Sequence, residues 1–168
     1  AQKKFAYVSG KVLDENETFN LDLNSFGFEK NGKLIRFDLA FNAIHGNPGE
    51  NGPLQGYLEA RGIRHTSCNQ AVSALTFNKW QCNSILKLFG FNCAKSILLQ
   101  KHDVINEDDI IRELGLPLFV KPNNSGSSFG VSKVKKKSEI QPAIEKAWLE
   151  DNEVVLESFM DGIELGCG

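Results

Sequence analysis

Leu116-Pro-Leu-Phe-Val-Lys-Pro-Asn-Asn-Ser-Gly-Ser-Ser-Phe-Gly-Val-Ser-Lys-Val134 is the stretch on which the reading of this chain turns. Leu116 to Val120 is an apolar run of buried-strand type, and Val131 to Val134 reads as a second strand. Between them, Asn123 to Gly130 is too rich in Gly and Ser for regular structure. A loop joining two strands is neither a Walker loop nor a dinucleotide fingerprint, since both need a strand leading directly into a helix. Its backbone N–H groups and hydroxyls can still fold over an anion. Lys121 ends the apolar strand at the base of that loop, where a phosphate oxygen would satisfy it. A lysine reaching to water beside an ordinary hairpin is the competing reading.

Downstream, Ser138 and Gln141 have the spacing of a capping box, opening a helix with Ile140, Ile144, Ala147 and Trp148 on one side. Val154 to Met160 reads as a strong strand that contains Glu157, and Glu164 follows past the turn at Asp161-Gly162. Such a strand and turn could offer backbone groups to a base edge and a carboxylate to ribose hydroxyls. A plain solvent-facing acid is the commoner case. Lys133 and Lys135 to Lys137 read as a solvated turn.

Upstream, Asn106 with Glu107, Asp108 and Asp109 opens a helix that stops at Gly115. Ala94 to Leu99 reads as a strand. Cys82, Ile85, Leu86 and Phe89, closed by Gly90, form one face of an amphipathic helix. Helical pattern begins at Asn69. Leu54, Tyr57 and Leu58 mark a helix capped by Gly62. Before it, His45 to Gly52 is a turn-forming loop carrying His45 and Glu50, placed just beyond a strand end, where open sheets hold ligands. Strands are expected at Phe5 to Val8, Leu39 to Ile44 and Ile63 to Ser67. Asn31-Gly32 signals a hairpin between Leu21 and Phe37. His65 and His102 have no chemical context. The alternation predicts an α/β (α+β) chain.

Composition narrows the function classes. Across 168 residues, 19 Lys and Arg stand against 21 Asp and Glu, a net charge of -2. That balance gives no electrostatic case for nucleic acid or an anionic membrane. The apolar stretches are too short to span a bilayer, and no secretory leader is evident. Cys68, Cys82, Cys93 and Cys167 are scattered, without zinc spacing, and read as free thiols of a reducing compartment. The sequon Asn16-Glu17-Thr18 would matter only in a secreted protein. The chain opens at Ala1 and stops in an apolar, strand-like stretch (Ile163, Leu165, Cys167), which reads as an incomplete chain.

Four segments together resemble one family. His45-Gly-x-x-Gly-Glu-x-Gly-x-x-Gln-Gly-x-Leu-Glu59 resembles the N-domain signature of D-alanine–D-alanine ligases. Val120-Lys-Pro-x-x-x-Gly-Ser-Ser-x-Gly-Val-x-Lys133 is similar to their phosphate-covering loop. The segment with Ala74 and Lys79 resembles the stretch ahead of their central domain, and Val155-Leu-Glu-Ser-Phe-Met-x-Gly-x-Glu164 their adenine-binding linker. Residues 1 to 38 match loosely.

The resemblance implies an ATP-grasp enzyme of peptidoglycan synthesis in the cytoplasm, using ATP and Mg2+ (or Mn2+) to join two D-alanines. It divides the chain into part of a Rossmann-like N-terminal α/β domain (1–67), a central ATP-grasp subdomain of antiparallel sheet with helices (68–161) and the start of the next (162–168). Lys79 and Lys121 would contact ATP phosphates. Ser127 and Ser128 would lie in the covering loop, with Ser127 also at the substrate. Glu157, Ser158 and Met160 would hold adenine, Glu164 the ribose, and His45 and Glu50 the first D-alanine. Glu50, Ser127 and Lys121 form the expected catalytic group. Metal ligands would lie beyond residue 168, so this chain alone is expected to be inactive. A homodimer of the full-length protein fits the family. The other readings are a D-alanine–D-lactate ligase and a non-catalytic nucleotide-binding module. Two residues depart from the family's usual pattern: Asn78 stands where Asp is usual, and Ser158 where Lys is common.

Overall fold

The computed structural model describes residues 4–6, 18–163 and 165–166, with side chains from Leu21 onward. Val8, the sequon's Asn16 and Glu17, Glu164 and Cys167 lie outside the described residues.

Two antiparallel hairpins begin the chain: β1 (Lys4–Ala6) with β2 (Thr18–Asn20), and β3 (Gly27–Lys30) with β4 (Lys33–Arg36). The second turns on Asn31-Gly32, with φ of 52° and 71°, the left-handed pair that a two-residue hairpin needs. Its Phe28 is buried and its ring lies 5.7 Å from that of Phe37. The Tyr57 hydroxyl donates to the Leu23 carbonyl and fastens the segment ahead of this hairpin to the next helix.

Three short helices follow: α1 (Pro53–Ala60), α2 (Gln70–Phe77) and α3 (Lys79–Leu88). Asn69 and Asn78 cap the second and third, accepting from the Val72 and Gln81 N–H groups at 2.8 Å each. Asn78 therefore keeps the capping oxygen that an aspartate would supply. Gly62 and Gly90 sit at φ of 66° and 83° after α1 and α3, as their stop positions require. The apolar face of α3 differs from expectation: Cys82 and Leu86 are half-buried, but Phe89 is 77% exposed.

The expected strands over 39–44 and 63–67 reduce to one parallel bridge, Ala40 to His65. It is held by the Ala40 N–H on the Arg64 carbonyl and the Thr66 N–H on the Ala40 carbonyl. Neither run has another strand beside it among the described residues. Leu39 and Phe41 therefore stay exposed, and apolar composition alone does not build a ladder.

The main body is a four-stranded antiparallel sheet in the order β5 (Ser96–Gln100), β8 (Glu153–Ser158), β6 (Leu118–Pro122), β7 (Ser132–Val134). Two helices, α4 (Glu107–Leu114) and α5 (Ile140–Ala147), contribute to a core on one face. Strand alternation sends Leu118 and Val120 of β6, and Val154 and Leu156 of β8, into that core, where they meet Ile110, Ile140 and Ile144. Each such side chain contributes roughly 1.5–3 kcal/mol by burial. Asn106 caps α4 as expected, accepting from Asp108 N–H at 3.1 Å.

The box before α5 is built differently from its expected form. A 3-10 turn (Lys137–Glu139) precedes the helix, and the Glu139 carboxylate accepts from the Lys135 and Lys136 N–H groups. Gln141 instead donates to Glu145. A carboxylate next to two free backbone donors outcompetes a neutral amide two residues on.

Candidate active site

The alternation that buries Val120 and Leu156 turns Phe119, Lys121, Val155 and Glu157 to the other face of the sheet. Glu157 is 7% exposed there and is not a solvent-facing acid. Its carboxylate accepts from Lys121 Nζ at 2.5 Å and from Asn83 Nδ2 of α3 at 2.8 Å. Lys121 thus enters the site already paired, its ammonium held on this face and lying 5.4 Å from the Phe119 ring. A buried carboxylate with two donors is satisfied, whereas either partner alone would be costly.

Lys79, the first residue of α3, reaches the same region from above. Its Nζ donates to the Ser125 carbonyl at 2.7 Å and to the Asn123 carbonyl at 3.3 Å. Burial holds its pKa below the ordinary lysine value, and the positive charge of Lys121 adds to this; Glu157 and Asp151 pull the other way. Two ammonium groups that feel one another in a half-buried place raise the local positive potential, which favours an anion.

The loop between β6 and β7 closes on itself through the Ser125 hydroxyl, which donates to the Phe129 carbonyl, and through the Phe129 N–H on the Gly126 carbonyl. Ser127 and Ser128 both adopt left-handed backbone, with φ of 49° and 57°, which non-glycine residues rarely do. Their side chains are exposed. The N–H groups from Ser125 to Ser128 have no protein acceptor among the described residues, and Ser125 and Gly126 line the same cleft as Lys79. Gly130 has φ of 70°, and a Cβ there would meet Pro122 Cγ at 2.7 Å.

Glu50 comes to this loop from the N-terminal side. Its carboxylate accepts from the Gly46 N–H and lies near His45 Nδ1, 3.9 Å away, and a Cβ on Gly126 would stand 3.3 Å from its Oε2. A cleft of about 290 Å3 is lined by Glu50, Thr76, Phe77, Lys79, Ser125 and Gly126. It joins the two segments that carried the strongest motifs. His45 is 88% exposed at its rim.

At the end of β8, Ser158 donates its N–H to the Lys95 carbonyl, and its hydroxyl accepts the Lys95 N–H at 3.0 Å. Its N–H is therefore engaged within the protein, while the backbone of the exposed Met160 makes no hydrogen bond among the described residues. Phe159 stacks near Phe119 and carries Lys133 Nζ 3.8 Å above its ring. Three polar residues of this region were given no role from the sequence: Asn83, Asn123 and Gln55, the last within a quoted motif. Gln55 is 1% exposed and donates to the Gly49 carbonyl, bracing the Glu50 loop. Nothing in a sequence tells a buried amide from a surface one.

A model of the D-ala D-ala ligase C-terminus matches residues 85–168, half of the chain. This chain belongs to the D-alanine–D-alanine ligase family. D-alanine–D-alanine ligase of Phocaeicola vulgatus is 52% identical over 157 residues, covering 94% of this chain and 48% of that protein. The Flavobacterium johnsoniae ligase is 49% identical, covering 99% and 50%. This chain thus spans about half the length of the curated relatives it matches. Among solved structures, D-alanyl-alanine synthetase A of Vibrio cholerae superposes with a TM-score of 0.77 at 28% identity, covering 89% of this chain and 46% of that one. The VanG D-Ala:D-Ser ligase of Enterococcus faecalis gives 0.73 at 34% identity, covering 89% and 45%. The D-alanine–D-alanine ligase of Bacillus anthracis complexed with ATP gives 0.67 at 36%, covering 75% and 42%. The sheet and helices described above are those of the ligase fold.

Proposed function

We propose that the complete protein carrying this sequence joins two D-alanines at the expense of ATP, and that residues 45–160 supply the phosphate and first-substrate sides of its active site. The observation that supports this most directly is the convergence of Lys79, Lys121 and the unpartnered N–H groups of residues 125–128. A carboxylate is a poor electrophile, so the first D-alanine must be activated. Its carboxylate oxygen attacks the γ-phosphorus of ATP, the bond to the β-phosphate oxygen breaks, and ADP leaves. The amine of the second D-alanine then attacks the acyl carbon, phosphate departs, and the amine loses a proton.

In this reading Lys79 and Lys121 neutralise the phosphate charge that builds up as the carboxylate approaches. The loop with Ser127 and Ser128 closes over the phosphates, excluding water that would hydrolyse the acyl phosphate. The Glu50 carboxylate faces the ammonium of the first D-alanine, with His45 beside it. Adenine lies along the linker from Glu157 to Met160, taking the free backbone groups of Met160. Glu157 acts through Lys121, which it holds, because its carboxylate is already bonded to that lysine and Asn83. Glu164 is assigned to the ribose.

The division into an N-terminal part (1–67), a central subdomain (68–161) and the beginning of a further one (162–168) belongs to this proposal, as do a cytoplasmic location and a homodimer. Mg2+ would shield the transferring phosphoryl group. Among the described residues no three His, Cys, Asp or Glu side chains gather to hold a metal, so none is assigned as a ligand and no step is routed through the ion.

The test is D-alanine-dependent ADP release by the complete protein. Lys121→Ala is expected to lower kcat/KM by at least about 100-fold, the scale of losing a transition-state charge contact. ATP binding without D-alanine-dependent turnover in the wild type would leave only a nucleotide-binding module. Turnover with D-lactate or D-serine in place of the second D-alanine would change the product assignment.

A further inference from the structure

Asn123 is 1% exposed, and its hydrogen bonds tie three elements together. Its N–H donates to the Glu153 carbonyl at 2.9 Å, and its Nδ2 to Glu153 Oε2 at 2.6 Å, fixing the end of β6 to the start of β8. Its Oδ1 accepts from the Trp80 N–H at 2.9 Å. Its carbonyl accepts both from the Lys79 N–H at 3.2 Å and from Lys79 Nζ.

Trp80 is the second residue of α3, where a backbone N–H has no acceptor within its own helix. Asn78 takes the Gln81 N–H of that first turn, and Asn123, 43 residues beyond Trp80, takes the Trp80 one. The helix start is thus capped twice, once locally and once from the sheet. The second cap lies two residues beyond Lys121. It fixes how far the Lys79 ammonium stands from the Lys121 ammonium, because both lysines are then referenced to the end of one strand.

We propose that Asn123 is a positioning residue that sets Lys79 for its phosphate contact, an inference that rests on the reading of Lys79 given above. Alanine at 123 keeps the carbonyl but leaves the Trp80 N–H without its acceptor and Glu153 Oε2 without its short donor, while Gln100 still holds Glu153 Oε1. The first turn of α3 is then free to shift, and Lys79 with it.

Two measurements on the complete protein test this. The first needs no nucleotide: trace labelling with an amine-reactive succinimidyl ester, with the rate at Lys79 compared with that at Lys87 by peptide mass spectrometry. Asn123→Ala is expected to raise the relative rate at Lys79 roughly tenfold, the scale of losing one buried hydrogen bond. Asn124→Ala, which removes the side-chain bond to Asp151 and a long one to Glu153 but none to α3, should not change it. The double variant Asn123→Asp with Glu153→Gln exchanges donor and acceptor while keeping an oxygen for Trp80, and should restore the wild-type rate.

The second measurement is ATP affinity. Asn123→Ala should weaken it about tenfold, and no further loss should appear when Lys79→Ala is already present. A Lys79 labelling rate unchanged in Asn123→Ala, or additive losses of affinity, overturns the proposal. If Asn123→Ala does not fold, the exchange variant decides alone, with a raised Lys79 rate counting against the proposal. If Lys79 labelling responds as expected but Lys79→Ala leaves ATP affinity intact, the positional role stands and the phosphate reading of Lys79 falls.

Discussion

Glu157 shows how a single residue can be visible in a sequence and its work invisible. Its place in a strand and its family motif were legible, and the motif pointed to adenine. Its two bonds, to Lys121 and Asn83, come from residues 36 and 74 positions away, which no local pattern reveals. Removing one partner is therefore informative. Lys121→Met is expected to destabilise the protein by about 2 kcal/mol, measured by chemical denaturation, because it leaves a carboxylate with 10% side-chain exposure short of its charged donor. The double variant Lys121→Met with Glu157→Leu should recover most of that loss. Glu153 offers a pH test at the same scale. Hydrogen bonds from Gln100, then Asn123, hold its pKa below the ordinary value of 4.5. A depressed carboxylate pKa contributes stability that is present above the unfolded value and lost as pH falls through the folded one. Stability should thus decline below about pH 4.5, and Glu153→Gln should make that acid limb shallower.

At the scale of elements, the sequence is most legible where one residue type forces the backbone. Asn31-Gly32 specifies its hairpin, Asn106 opens α4, and Gly62, Gly90 and Gly115 end helices, because few other residues tolerate those conformations. It is least legible where the element needs a neighbour. The run from Leu39 to Ile44 is as apolar as β6, yet it forms one bridge, since a strand exists only if another lies beside it. The helix opening before α5 was misread for a related reason: Gln141 and Glu139 both have plausible capping positions, and only the path of residues 135–137 decides between them. The α5 stripe itself was clear, and its cost can be measured. Ile144 is fully buried between α5 and the sheet. Ile144→Ala should cost about 3 kcal/mol in urea denaturation.

For the whole molecule, the site belongs to no single element. Its cations come from α3 and β6, its donors from the β6–β7 loop, and its carboxylate from the Glu50 loop. The motifs were readable one at a time, but their meeting depends on a sheet whose order, β5-β8-β6-β7, departs from sequence order. That order has a consequence for synthesis. The ribosome delivers β5, β6 and β7 first, yet the strand that pairs with both β5 and β6 comes last of the four. Until residues 153–158 emerge, β5 and β6 each carry an open edge, and the half-formed sheet is exposed to mispairing or chaperone capture. Nascent chains arrested with residue 150 at the tunnel exit should be cut rapidly by protease. Chains extended until Ser158 clears the tunnel should gain protection across residues 96–158 in one step, and gradual protection beginning at β5 would contradict this. The last of these four strands to be made is the one that joins the other three into a sheet.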